Sequence, residues 1–283
     1  MMSAARVSSA SLHKFVCRPG GLQGVGRLRV LYPRSRSFTI LCAHVYRGAE
    51  RLTTASLTGQ TEQHLCSTAD AELLGCYIHS DVVRPFLQLQ DESRRAGFDL
   101  AILSGFRGFK RQLEIWNRKA TGKQAVLDSN AEPLEIERLS EKELVFAILR
   151  WSALPGASRH HWGTDIDVFD AAAKPEGYEI ELIPEEVDSG GMFGPLHDWL
   201  DEKIAAQAAS GFFRPYDRDR QGVAPERWHL SCAPVANRYE ASLSTDIMRD
   251  AIRHADIALQ QVVLDNLDEI YQRFVINIGR PAQ

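Results

Sequence analysis

Apolar positions along the chain change period several times, and each change marks an element. Residues 80–98 carry Val83, Phe86, Leu87 and Leu89 at helical spacing between Ser80 and Gly97, with Pro85 tolerable only in the first turn. The spacing predicts a helix. Residues 98–105 then alternate as a strand that stops at Gly105, and residues 109–122 return to helical spacing through Leu113 and Trp116 as far as Gly122. Residues 123–137 predict two short strands around an Asp-Ser-Asn turn, and residues 140–154 a helix opened by Ser140 and Glu143 as a capping box and broken by Pro155-Gly156. Further on, strands are predicted at 164–169, 178–184 and 226–234, a helix at 192–211 and a short extended piece at 212–216. The tail, 241–274, offers Ile247, Ile252, Ile257, Leu259, Val263, Leu267, Ile270 and Phe274 as a helical packing face. Strands scattered among helices without a regular βαβ rhythm predict an α+β fold with an antiparallel sheet.

Composition adds boundaries. With 283 residues, 44% of them hydrophobic, the chain can build a core without staples. Its five cysteines, at 17, 42, 66, 76 and 232, form no C-x-x-C pair, which argues against a disulfide framework and a cysteine-built zinc site. Eight of the 33 basic residues and none of the 37 acidic ones fall in the first 49 positions, so the rest of the chain is mildly acidic and offers no general support for nucleic-acid binding. That basic leader lacks a periodic apolar pattern, and its one apolar run, 38–46, is interrupted by His44 and too short to span a membrane. The expected organisation is a basic, disordered extension at 1–56, a main domain at 57–240 and a helical extension at 241–283 packed on it.

The densest chemistry lies in "SRHHWGTDIDVFD", residues 158–170. On a strand at 164–169, Asp165, Asp167 and Phe169 share one face while Ile166 and Val168 share the other. A carboxylate beside a core face is costly unless paired or metal-bound. His160 stands seven residues before Asp167 across a turn at Gly163, so an imidazole and a carboxylate can meet at one point, and "PERWHLS" offers His229 on a second strand with Glu226 three residues earlier. Two histidines and one aspartate leave a tetrahedral zinc an open fourth position for water, the pattern of catalytic zinc. Glu226 is placed to be the base.

These residues carry a resemblance. Ser158, His160, Gly163 and Asp167 match S-x-H-x-x-G-x-x-x-D, and Glu226, Trp228 and His229 match E-x-W-H, the two motifs of the zinc D-Ala-D-Ala carboxypeptidases and dipeptidases of the vancomycin-resistance type. "SGFRGFKRQ" at 104–112 resembles that family's S-G-[YF]-R segment followed by Gln, and 197–216 its W-L…G-F stretch. The resemblance implies a small antiparallel sheet flanked by helices, related to the hedgehog signalling domain. It also implies zinc on His160, Asp167 and His229, Glu226 as general base and acid, Arg107 at the oxyanion, and Ser158 and Gln112 as substrate contacts. The implied substrate is a peptidoglycan stem peptide or another D-Ala-terminated peptide. An L-Ala-D-Glu endopeptidase and a noncatalytic zinc-stabilised binding domain are the alternatives. The substrate class implies the periplasm or cell envelope, although the leader does not read as a clear signal peptide.

Two positions depart from the family pattern: Asp165 replaces a small residue, and Arg227 stands where Pro is common. A second carboxylate facing the metal should raise the pKa of one partner unless an arginine or backbone donor compensates. His161 reads as a packing or supporting residue, since the register to Gly163 and Asp167 selects His160. His197 and His254 read as surface or packing residues, Trp228 as a core aromatic, and Asp170 as a strand terminator.

Overall fold

The computed structural model describes residues 52–129 and 131–281. The expectation for the leader up to residue 51 therefore lies outside the described residues. Helices α1 (Thr54–Leu57), α2 (Thr68–Leu74) and α3 (Val83–Arg95) precede strand β1 (Leu100–Ser104), followed by α4 (Phe109–Ala120) and α5 (Glu141–Trp151). Strand β2 (Asp165–Asp170), helices α6 (Pro184–Val187) and α7 (Gly194–Ala205), and strands β3 (Phe212–Phe213) and β4 (His229–Cys232) complete the middle. The chain ends in α8 (Ala233–Ser242), α9 (Thr245–Arg253), α10 (Gln260–Asp265) and α11 (Leu267–Ile270), which runs into a π-turn, Tyr271–Val275. The fold is α+β, with a four-stranded sheet in the order β1-β2-β4-β3 and every neighbouring pair antiparallel.

Ile166 and Val168 of β2 and Leu230 of β4 face one large core and are at most 1% exposed. Helices α3, α4 and α5 cover that core through Phe86, Leu89, Trp116, Val145 and Ile148. The tail joins the same core. Ile252, Ile257, Val263, Leu267, Ile270 and Phe274 are buried in it, and the Trp116 indole donates to the Ala258 carbonyl at 3.0 Å. Ile247 and Leu259 of the expected packing face lie half-buried against it.

Local chemistry explains the ends. Ser140 and Glu143 form both halves of the capping box on α5. The helix expected from residue 80 begins as a short 3₁₀ turn, Ser80–Val82, capped by the His79 imidazole, which accepts from Asp81 N–H at 3.0 Å.

Two expected strand regions come out differently. Residues 123–137 contribute an isolated antiparallel bridge, Leu127 to Pro133, and a 3₁₀ turn, Ile136–Arg138. Residues 178–184 alternate in polarity but form no strand. They wrap the buried Glu186 carboxylate, which accepts from the Tyr178 hydroxyl and from the Glu181 and Leu182 amides, each at 2.8 Å. Those donors are satisfied by a side chain rather than a sheet partner, so period-two patterning has no ladder to join.

Candidate functional site

The sheet register assembles the site. Asp167 of β2 lies opposite His229 of β4, and Asp165 lies opposite Ser231. On the other side of β2, Ser104 is paired with Asp167 across a bulge in β1, and this brings the loop carrying Arg107 to the same end of the sheet. His160 arrives on a 3₁₀ turn, Arg159–Trp162, that Gly163 closes in the left-handed region at φ 65°. A Cβ on Gly163 would sit 2.7 Å from the His79 amide nitrogen, so the turn requires glycine on two counts.

His160, Asp167 and His229 are all buried, and one ligand atom from each lies within 4.8 Å of the others. His160 Nε2 is 3.6 Å from Asp167 Oδ2, and His229 Nδ1 is 3.3 Å from Asp167 Oδ1 and 3.4 Å from Glu226 Oε2. The opposite ring nitrogens are engaged by the protein. His160 Nδ1 faces the Gly105 carbonyl at 2.9 Å, and His229 Nε2 faces Asp165 Oδ1 at 3.1 Å. Each imidazole thereby presents its remaining nitrogen to one small volume.

The electrostatics there fit a cation. Burial works to raise the carboxyl pKa of Asp165 and Asp167, but the Arg159 charge at Asp165 and the imidazoles at Asp167 outweigh it and hold both well below the usual range. Both carboxylates therefore stay ionised, with an arginine supplying the compensation that the sequence required. Burial pushes His160 down to about 4, against the pull of Asp167. For His229 burial also works downward, but the carboxylates of Asp165, Asp167 and Glu226 around the ring override it and raise the pKa well above the ordinary value. His229 Nδ1 is buried and makes no hydrogen bond of good geometry, so a divalent ion fits there.

Arg107 sits beside this group. Its guanidinium donates to Gln112 Oε1 at 3.1 Å and to Ser104 Oγ at 3.3 Å, and its charge helps depress His160. Gln112, expected as a substrate contact, is fully buried, and its amide also donates to the Ala153 carbonyl at 2.7 Å. One end of that amide holds Arg107 and the other is anchored on the segment after α5. Ser158 is buried at the head of the His160 turn. His161 is not part of the ligand group: Nδ1 faces the Arg107 carbonyl at 2.5 Å, and Nε2 accepts from Gly156 N–H at 3.0 Å.

Residues that the motifs did not mark complete the surroundings. Arg159 donates to Asp165 Oδ1 at 2.7 Å and to Ser231 Oγ at 2.8 Å, and stacks over Trp162 at 4.9 Å. The Tyr216 ring lies edge-on to His229 with centroids 4.9 Å apart. Arg227 donates to Asp198 and Asp201, each at 2.6 Å, and ties the Glu226 loop to α7. A strand pattern and a one-residue departure signalled Asp165, whereas no local signal marked Tyr216 or Glu240, whose carboxylate accepts from Arg159 at 3.2 Å.

With this geometry in view, sequence comparison decides the family. The D-alanyl-D-alanine carboxypeptidase family VanY matches residues 75–235, more than half of the chain and all of the site. The chain belongs to the VanY family. An uncharacterized protein of Haemophilus influenzae is 30% identical over 124 residues, covering 44% of this chain and 93% of its own. A D-alanyl-D-alanine carboxypeptidase of Enterococcus faecalis is 28% identical over 151 residues, covering 52% of this chain and 45% of its own. Among solved structures, a mutant of the vancomycin-resistance D,D-pentapeptidase VanY in complex with Zn(II) aligns over 72% of this chain and 91% of its own, at 20% identity and a TM-score of 0.42. VanY-family membership makes the chain a member of a group of peptidoglycan-related peptidases. Among the described residues no helix is long and apolar enough to cross a membrane.

Proposed function

We propose that this VanY-family chain is a zinc-dependent D-alanyl-D-alanine carboxypeptidase that trims the terminal D-alanine from peptidoglycan stem peptides. His160, Asp167 and His229 would hold the ion, and Glu226 and Arg107 carry the proton transfer and the charge stabilisation. The observation behind this reading is the place of Glu226. Its Oε2 lies 3.4 Å from His229 Nδ1, and its side chain, 14% exposed, is less covered than those of the three ligands. A purely structural metal site needs no such carboxylate at its open side. The same substrate class assigns the protein's work to the cell envelope.

Zinc in this group would supply Lewis acidity, polarising the scissile carbonyl and sharpening water as a nucleophile. Glu226 takes the proton of the attacking water and returns it to the leaving amine. The Arg107 fork, held by Gln112 and Ser104, would stabilise the oxygen on which negative charge develops.

The test is cleavage of peptides ending in D-Ala-D-Ala beside a peptide with an L-Ala-D-Glu bond and an all-L control. Glu226→Gln should lower turnover by roughly two to four orders of magnitude with zinc retained. Arg107→Ala should cost about a hundredfold, again with the metal in place. Unchanged cleavage by Glu226→Gln would remove the mechanism. If zinc-loaded wild type cleaves no peptide of the panel, a zinc-stabilised binding domain replaces the enzyme reading.

A further inference from the structure

We infer that Asp165 is a positioning residue for the candidate metal group: its carboxylate holds His229 by Nε2–H and so aims the Nδ1 lone pair at the point shared with Asp167 and His160. The inference rests on the zinc reading above and deepens it. A neutral imidazole has one donor nitrogen and one acceptor nitrogen, and the partner of the first decides the direction of the second. The His229 ring lies between two carboxylates of the same strand face, with Nε2 3.1 Å from Asp165 Oδ1 and Nδ1 3.3 Å from Asp167 Oδ1. Among the described residues Asp165 is the acceptor that meets Nε2, and without it neither nitrogen would be fixed toward the metal position.

Asp165 is itself fixed and closed to a metal. Oδ1 accepts from Arg159 Nε at 2.7 Å as well as from His229, and Oδ2 accepts from the Thr164 hydroxyl at 2.6 Å and the Ser231 hydroxyl at 3.0 Å. Those four contacts use the acceptor capacity of a carboxylate. Arg159 is anchored in turn on Ser231 at 2.8 Å and Glu240 at 3.2 Å, and both Asp165 and Arg159 are buried. The carboxylate is therefore held in one orientation while the imidazole is held against it. A negatively charged acceptor also makes the distal nitrogen a stronger donor to a metal.

Asp165→Asn keeps the size and one acceptor but removes the charge. Zinc affinity, measured by competition with a chromophoric chelator, should fall by about 10–100-fold, the usual effect of losing such a partner. Ile166→Val, on the opposite face of the same strand, should lower stability and leave zinc affinity unchanged, which separates positioning from general loosening. Wild-type zinc affinity in Asp165→Asn would overturn the inference. If that variant does not fold, the wild type answers by NMR after loading with an NMR-active cadmium isotope. Coupling of the metal to His229 Nδ1, with a slowly exchanging proton on Nε2, is required, and coupling to Nε2 overturns the inference. A wild type that binds no zinc would overturn the functional reading and this one with it. Zinc bound normally by both proteins would overturn this one alone.

Discussion

Asp165 and Asp167 stand two residues apart on one face of β2, both at most 3% exposed, yet they are used in opposite ways. Asp165 is saturated by an arginine, two hydroxyls and an imidazole N–H. Asp167 meets imidazole nitrogens at 3.3 and 3.6 Å and the nearby charge of Arg107. A buried carboxylate is tolerated when its charge is answered. For Asp165 an arginine and two hydroxyls join an imidazole in the answer, whereas Asp167, the open member, is met mainly by the imidazoles of His160 and His229, in a group that could hold a metal ion. The pair shows that identical side chains on one strand face acquire different partners according to what the neighbouring strand and turn present to them.

The largest expected effect comes from breaking the open member. His160→Ala or Asp167→Ala should reduce bound zinc from one equivalent to near none by elemental analysis, and because the ligands must be placed by the fold, thermal stability should fall as well. Full zinc occupancy in His160→Ala would show that the ion sits elsewhere. Breaking the closed member acts on stability first: Arg159→Met leaves the Asp165 charge buried without its counterion, a change expected to cost about 3–5 kcal/mol in urea unfolding. An unshifted midpoint would mean that Thr164 and Ser231 suffice.

The smallest effect lies away from the site, where a buried imidazole is partnered at one nitrogen only. His197 is fully buried, its Nε2 has no hydrogen-bond partner, and burial together with Arg214 and Arg227 pushes its pKa down to about 2. The folded state therefore binds fewer protons here than the unfolded chain does. The stability that neutral His197 permits is nearly complete a pH unit above the ordinary imidazole value of 6.5 and is lost as pH falls below it, by about 1.4 kcal/mol at pH 5.5. The urea midpoint should decline between pH 7.5 and 5.5 in wild type and decline less in His197→Gln. Equal slopes would show that the imidazole does not carry this linkage.

Much of the site was legible because its residues sit at short, rigid spacings. His160 and Asp167 share one turn and strand, Glu226 and His229 share another, and each pair's relative direction follows from local geometry. Helices α3, α4 and α5 were legible for the same reason, since their apolar stripes and terminal signals are contained in each segment. Residues 178–184 were misread because alternation records which side chains are half-buried and not whether a neighbouring strand exists. The Glu186 carboxylate, which takes their amides, is signalled by nothing in that segment. Gln112 matched a motif position, but a motif does not show that its amide joins the Arg107 guanidinium to the Ala153 carbonyl.

Taken alone, the sequence determined the α+β class and the identity of the three metal-capable side chains, and it singled out Glu226 and Arg107 as the residues proposed to act beside them. These depend on residue type and on distances of a few positions along the chain. What only tertiary structure decided was their division of labour. The pairing of Asp167 with His229 and Asp165 with Ser231 is a register between strands more than 60 residues apart. Arg159 reaches Asp165 across a turn while being held by Glu240, 81 residues away. Long-range register and the filling of lone pairs are properties of the packed chain, because each depends on which distant donor first occupies a given acceptor.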